Sequence, residues 1–380
     1  MSDKTKPRIG IDVTALAKSQ AGIARYGNEL LKRLIRNMSS IHFFLYSPSP
    51  VRFPLFELPN VTIRTGTFRI KYTSTLWTQL AMPRLVAQDK IDIFWSLSPR
   101  PPLLLSSKIT SVVTIHDFVW KIAPGTMTRF GWLLDSILSP ISIRRCSHIF
   151  CVSNSTKNDL MRFFPREIHK VSVTPLASSL KPLLSQQSRD ERVHPKDYFL
   201  FVGTLEPRKN LARLIEAFSL VSSELRDGVN LVIVGGGGWG KVNVTELAKK
   251  NKIENKVVYL GGVTDGELRT LYSQALFLAF PSLYEGFGIP IVEAMSSGIP
   301  VLTSNRSSMP EVAGGAGFFV DPESTSDIKR GIETLLGDDA VRASLRSSCQ
   351  SQVAKYSWDA TASLTAKRLN LLLIDRKVGQ

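Results

Sequence analysis

Short apolar runs alternate with longer amphipathic stretches along most of the chain, and the alternation restarts once. In the first half Arg8–Thr14, Ile41–Tyr46, Ile91–Leu97, Val112–His116 and His148–Val152 are strand-like. Between the first two of these, Ile23–Arg36 places Ile23, Tyr26, Leu30, Leu31, Leu34 and Ile35 at helical spacing, which predicts a helix with one apolar face. Ser155–Phe164 reads as a second helix, capped by Ser153 or Ser155. The pattern fails over 178–197, where Ser178-Ser-Leu-Lys-Pro-Leu-Leu-Ser-Gln-Gln-Ser-Arg-Asp-Glu-Arg192 is polar and aperiodic, as linkers are. Beyond it, strands at Tyr198–Val202, Asn230–Val234, Val257–Leu260, Ala275–Pro281, Val301–Ser304 and Phe318–Val320 alternate with helices at Leu211–Leu225, Val242–Lys250, Asp265–Ser273 and Ile289–Ser297. Ser357–Ile374 reads as a last helix.

Apolar, β-branched strands separated by helices describe a parallel sheet covered on both faces. Two such runs predict an α/β protein of two Rossmann-like parallel-sheet domains facing across a cleft. The expected boundaries are 1–180 for the first domain, 181–197 for the linker and 198–357 for the second domain. The helix at about 358–380 is expected to cross back onto the first domain. Ligands of such sheets sit at the carboxyl ends of the strands.

Composition narrows the class. The 380 residues suffice for two cores, and 43% hydrophobic with 21% charged residues is ordinary for a soluble globular protein. No apolar run approaches the roughly 20 residues of a membrane span. Met1–Arg8 enters a strand with no signal-peptide core, and Cys146, Cys151 and Cys349 form neither metal spacing nor a disulfide framework, so a cytoplasmic protein is expected. The net charge of +16 is lopsided: residues 1–185 hold 25 Lys and Arg against 10 Asp and Glu, and residues 186–380 hold 23 against 22. A basic half attracts phosphates, which points to an anionic membrane surface at the inner face, a diphosphate-linked acceptor, or simply a solvated basic face. Nucleic acid is not expected, since no zinc finger, RNP-type motif or basic-aromatic array occurs. No G-x-G-x-x-G with a downstream acid opens either half, which argues against a nicotinamide enzyme.

The chemistry concentrates in Pro281-Ser-Leu-Tyr-Glu-Gly-Phe-Gly-Ile-Pro-Ile-Val-Glu-Ala-Met295. Gly286 and Gly288 end a strand, and Pro290 suits the first turn of the following helix. Backbone N–H groups of Phe287, Gly288 and Ile289 at that helix start favour an anion such as a phosphate. Glu285 in the loop and Glu293 in the helix are placed to accept from two sets of hydroxyls, as a sugar nucleotide would present. Three more loops end strands. Gly22 heads the first helix, in Ala17–Arg25; His116-Asp117 ends Val112–His116; and Gly203-Thr-Leu-Glu-Pro-Arg-Lys-Asn210 follows Tyr198–Val202. In the last loop Arg208 and Lys209 are placed to neutralise a diphosphate, and Asn210 to cap the next helix. No Asp-x-Asp occurs, so no carboxylate pair presents itself for Mg²⁺ and no metal site is expected.

Glu285-x7-Glu293, the Gly203–Asn210 loop, His116-Asp117 and the Gly22 loop together resemble a GT-B retaining glycosyltransferase of family 4, over nearly the whole chain. Ser304-Asn-Arg-Ser-Ser-Met-Pro-Glu-Val-Ala-Gly314 supports the likeness. The resemblance implies that Glu285 holds hydroxyls of the donor sugar and that Glu293 holds the ribose. It implies that the amides of Phe287, Gly288 and Ile289 meet sugar and diphosphate, and that Lys209, with Arg208 nearby, binds the diphosphate. His116 would contact the sugar near the reacting bond, the Gly22 loop would close over the β-phosphate, and the loop around Val263 would meet the base. Many members carry Arg directly after the glycine matching Gly203; Thr204 stands here, and Arg208 is taken to supply the charge.

The resemblance further implies a retaining, metal-independent hexosyltransferase without a cofactor. Its donor would be a nucleotide-diphosphate sugar, UDP-glucose first and GDP-mannose second. Its acceptor would be a polysaccharide or a polyprenyl-diphosphate-linked saccharide. Two other readings of the same loops are a sugar-nucleotide epimerase or hydrolase, and a non-catalytic sugar-nucleotide binder. Acceptor contacts are expected on the basic domain, around Trp77, Trp95 and Trp120 with Arg69, Lys71 and Arg84. Tyr72–Leu85 and Gly131–Arg145 have apolar faces beside basic residues, and read either as membrane-facing or as ordinary core helices.

Overall fold

The computed structural model describes residues 6–18, 22–51, 58–66, 73–180, 197–240 and 242–378. The chain divides into two compact units: residues 1–117, 133–176 and 357–380 form the first, and residues 118–132 and 177–356 the second.

The first unit is built on seven parallel strands: β1 (Arg8–Asp12), β2 (His42–Ser47), β3 (Val61–Thr65), β4 (Ile93–Ser96), β5 (Thr110–Ile115), β6 (His148–Cys151) and β7 (Val171–Val173). Their spatial order is β3-β2-β1-β4-β5-β6-β7. The second unit carries six: β8 (Asp197–Val202), β9 (Val229–Val234), β10 (Val257–Gly261), β11 (Leu278–Phe280), β12 (Val301–Ser304) and β13 (Gly317–Val320), in the order β10-β9-β8-β11-β12-β13. Both sheets reverse direction of growth between their first and fourth strands, which is the doubly wound order of a Rossmann fold. Central strands are apolar on both faces because helices cover both: Phe199, Phe201, Leu231 and Ile233 are fully buried among Leu214, Ile215, Phe218, Ile328 and Ile332, and Leu200 and Val232, on the opposite face, are fully buried too.

Helix Gly22–Asn37 buries Tyr26, Leu30, Leu31, Leu34 and Ile35 of the apolar stripe read from the sequence, and leaves Ile23 half-buried. Helix Trp358–Val378 belongs to the first unit, packs on Gly22–Asn37, and is tied by Thr361 Oγ1 to the Pro175 carbonyl and by Arg33 to Asp359 at 2.9 Å. The segment 118–132 groups with the second unit, whereas the sequence placed it in the first; the Phe118 N–H donates to Tyr284 Oη at 3.0 Å. The linker residues 181–196 lie outside the described residues, as do Arg69, Lys71 and Tyr72.

Several boundaries differ from the sequence reading for local reasons. Leu211–Leu225 is two helices, Leu211–Ser219 and Ser223–Arg226, broken where the Ser219 hydroxyl bonds back to the Glu216 carbonyl at 2.7 Å. Val61–Thr65 and Val171–Val173 were not anticipated; they are edge strands, half-exposed, so the apolar run that marks a central strand is missing. Trp77, Trp95 and Trp120 are 4%, 0% and 6% exposed, so they are core residues rather than open stacking platforms for an acceptor. Trp95 uses its indole N–H on Thr114 at 3.0 Å.

Candidate functional site

Two loops of the second unit meet where β8 and β11 lie side by side. At that reversal of strand order the chain leaves neighbouring strands toward opposite faces, opening a crevice at their carboxyl ends. The Leu283 N–H donates to the Arg208 carbonyl at 2.9 Å, and Arg208 Nη1 donates to the Tyr284 carbonyl at 2.8 Å, which stitches the two loops together.

At the seam one carboxylate lies between two cations. Glu285 Oε1 accepts from Lys209 Nζ at 2.6 Å, and Oε2 accepts from Arg208 Nη1 at 2.7 Å. Glu285 and Lys209 are 6% and 8% exposed, and Lys209 Nζ sits 5.0 Å from the centre of the Phe280 ring. Burial works to raise the Glu285 carboxyl, but Arg208 and Lys209 outweigh it and hold it down at about 2. Burial lowers the Lys209 ammonium, with Glu285 opposing. Glu285 is therefore an anion at neutral pH, and each oxygen keeps a lone pair beyond the one its cation uses. Glu206 approaches Arg208 Nη2 at 3.6 Å, so the loop's acids and bases balance. This differs from the expectation of an open pair of cations: Arg208 and Lys209 are both already engaged by Glu285.

Helix Ile289–Ser296 starts at Gly288, whose φ of 96° and ψ of 61° are left-handed and suit glycine. Pro290 occupies its first turn as the sequence predicts. Among the described residues the N–H groups of Phe287, Gly288 and Ile289 donate to no other group, so the positive end of the helix presents three open donors. The Phe287 ring is buried edge-on to Tyr356, 5.4 Å between centres, which leaves its backbone N–H as the group able to meet a ligand. Glu293 is 2% exposed on the same helix and accepts from Tyr272 Oη at 3.1 Å.

Asn210 does not cap the next helix with its side chain, contrary to expectation. It adopts a left-handed φ of 61°, and its amide donates to the Pro281 carbonyl at 3.0 Å and the Pro322 carbonyl at 2.7 Å. One side chain thereby holds the Lys209 turn against the ends of β11 and β13. Gly203 and Thr204 lead from β8 into this turn, with the Gly203 N–H on the Val234 carbonyl at 3.0 Å. The turn needs Gly235 beside it, because a Cβ there would stand 1.8 Å from the Gly203 oxygen. Val263, half-buried, follows β10 and precedes a helix that Thr264 and Glu267 cap reciprocally.

The remaining candidates lie in the first unit. His116 follows β5, and its Nε2 meets the Leu97 carbonyl at 2.8 Å, which assigns the ring proton to Nε2. Burial lowers its pKa, with Leu97 and Asp117 opposing, so the imidazole is neutral at pH 7 and Nδ1 offers a lone pair. Gly22 opens its helix in an exposed position where a Cβ would meet nothing within 4 Å, and residues 19–21 before it lie outside the described residues.

The sequence reading missed Ser307, Ser308, Tyr284 and Tyr272. Their hydroxyls act on backbone or on a carboxylate, and no spacing rule reveals such contacts.

The comparisons with known proteins agree with one another. The family model described as glycosyl transferases group 1 matches residues 185–352, and the one described as glycosyltransferase family 4 matches residues 21–177. The O-antigen chain mannosyltransferase B of Escherichia coli is 34% identical over 373 residues, covering 92% of this chain and 96% of that protein. The O-antigen chain mannosyltransferase RfbU of Salmonella typhimurium is 26% identical over 361 residues, covering 92% and 96%. Among solved structures WaaG, a glycosyltransferase involved in lipopolysaccharide biosynthesis, superposes with a TM-score of 0.74 at 16% identity, covering 94% of this chain and 98% of that one, a likeness of fold.

Proposed function

The chain belongs to the group 1 glycosyl transferases of glycosyltransferase family 4, and on that premise we propose that it moves a mannosyl group from GDP-mannose to a saccharide of the O-antigen kind carried on a polyprenyl diphosphate. The choice of mannose over the UDP-glucose expectation rests on relatives that are mannosyltransferases at 34% and 26% identity. The observation that carries the chemistry is the buried Glu285 anion beside three amides that have no partner among the described residues, at a sheet's switch point.

In this reading the amides of Phe287, Gly288 and Ile289, with Lys209, take the diphosphate; Glu285 orients sugar hydroxyls through its spare lone pairs; and Glu293 takes the ribose. Gly203 and Thr204 line the phosphates, Val263 the base, Gly22 the β-phosphate, and His116 the sugar through Nδ1. The C1–O bond to the diphosphate breaks as positive charge develops on the sugar ring. The acceptor oxygen attacks from the face the diphosphate leaves, so configuration is retained. The acceptor's proton passes to the departing phosphate oxygen. No side chain is required as nucleophile or metal ligand, so catalysis is positioning and charge stabilisation. Acceptor-dependent GDP release from GDP-mannose tests this. Consumption of GDP-mannose that needs no acceptor would instead favour an epimerase or hydrolase. Preference for UDP-glucose would overturn the donor assignment.

The first unit is assigned an anionic membrane surface as its partner. No helix among the described residues is long and apolar enough to span a bilayer. Helices Thr73–Gln88 and Arg129–Arg145 leave Leu76, Leu80, Leu133 and Ile137 exposed, and the same two helices carry exposed Arg84, Arg144 and Arg145. Apolar residues flanked by cations match a lipid headgroup boundary. Binding to anionic vesicles is expected at low salt and should fall steeply as salt rises. No binding at low salt would exclude it.

A further inference from the structure

The turn between β12 and helix Met309–Ala313 holds Ser307 at a φ of 59°, in the left-handed region that a serine occupies at a cost. Nothing in the turn's connection requires a serine there; a glycine would adopt this backbone freely. What the serine supplies is its hydroxyl. Ser307 Oγ accepts from the Glu285 N–H at 3.2 Å and donates to the Glu285 carbonyl, gripping both backbone groups of one residue. Next to it Ser308, fully buried, places Oγ 3.0 Å from the Glu285 carbonyl and 2.9 Å from the Phe287 carbonyl. The turn is itself anchored from outside. Arg306 pairs with Asp321 at 2.8 Å and Glu323 at 2.6 Å, and the Asn305 N–H bonds the Val320 carbonyl at 2.9 Å.

We propose that Ser307, seconded by Ser308, is a positioning residue for transfer: it fixes the backbone of Glu285 so that the carboxylate and the amides of Phe287–Ile289 hold a single geometry. The inference rests on the transferase reading for its kinetic readout. The Lys209 and Arg208 contacts fix only the end of the Glu285 side chain. Without the serines its backbone, and the peptide planes after it, could rotate while those ion pairs survived. A buried anion at the wrong angle would still bind donor and would fail to align it, which predicts an effect on kcat more than on KM.

The test compares Ser307→Gly, which removes the hydroxyl and relieves the backbone, with Ser307→Ala, which removes the hydroxyl and leaves the backbone demand in place. Ser307→Gly is expected to retain or raise the melting temperature, to lower kcat about 10²-fold with donor KM within about 3-fold, and to speed amide exchange across residues 284–289. Ser307→Ala should lose kcat to the same degree while melting below Ser307→Gly, because only the glycine relieves the positive φ. In a Glu285→Gln background the further loss from Ser307→Gly should shrink below about 5-fold, since the two act through one carboxylate. Wild-type kcat in Ser307→Gly, or full multiplicative loss in the double variant, would overturn the proposal. Amide exchange reads the clamp without turnover, so its failure is distinguishable from failure of the transferase reading, in which the unaltered protein would itself show no transfer.

Discussion

Glu285→Ala is expected to lower turnover by at least about 10³-fold, because it removes the fixed charge that the proposed reading sets against the sugar's hydroxyls and developing positive charge. It should also lower stability by about 3–5 kcal/mol, since it leaves Arg208 and Lys209 side by side in a buried site with no anion between them. Glu285→Gln separates the two effects: it keeps the shape and one acceptor, so it should melt closer to the unaltered protein while remaining about 10²-fold or more impaired. The pH dependence has a definite sign. The folded carboxyl titrates at about 2, below its ordinary 4.5. Its contribution to stability is therefore full above pH 4.5 and is lost as pH falls toward 2, amounting to at most about 3 kcal/mol. The burial cost of Lys209 offsets part of it. Chemical denaturation at pH 6 and pH 3 should show that loss shrinking in Glu285→Gln. An equal loss in both proteins would assign the acid sensitivity elsewhere.

Lys209→Ala should be the second most damaging change. Its ammonium is buried, 2.6 Å from Glu285 and over the Phe280 ring, so its removal takes away one of two restraints on the carboxylate and, in the proposed reading, charge for the diphosphate. A loss of about 10²–10³-fold in kcat/KM is expected. With one cation gone, burial gains weight and the Glu285 carboxyl rises from about 2. The acid limb of the pH–rate profile should therefore move upward in Lys209→Ala. Arg208→Ala should move it too, with a larger loss of stability, because Arg208 also bonds the Tyr284 carbonyl. An unshifted acid limb in both would show that the rate does not depend on the Glu285 charge.

Much of this was legible in the sequence. Central strands such as Phe199–Phe201 and Leu231–Val234 are buried on both faces, so hydrophobicity alone reveals them. The Glu285–Glu293 segment is legible because glycine, proline and acid each answer a local backbone demand. Edge strands escaped notice because half-exposure dilutes the apolar signal. The ion triad was only half legible: the sequence marks Arg208, Lys209 and Glu285 as candidates, but 76 positions separate Lys209 from its acid, and only folding reveals that they neutralise each other. Asn210 reads as a cap because Asn stands before a helix, while its amide N–H groups go to the Pro281 and Pro322 carbonyls, 71 and 112 residues away, and its oxygen accepts from Arg213. Ser307 was invisible for the same reason. Its value lies in a φ and two backbone contacts.

The most direct measurement is a crystal structure of the protein with an unreactive GDP-mannose analogue. The account predicts the diphosphate on the amides of Gly288 and Ile289 beside Lys209, with a mannose hydroxyl within hydrogen-bonding distance of Glu285. Density for the analogue remote from the β8–β11 crevice, or a Glu285 carboxylate that touches only its two cations while donor is bound, would contradict it.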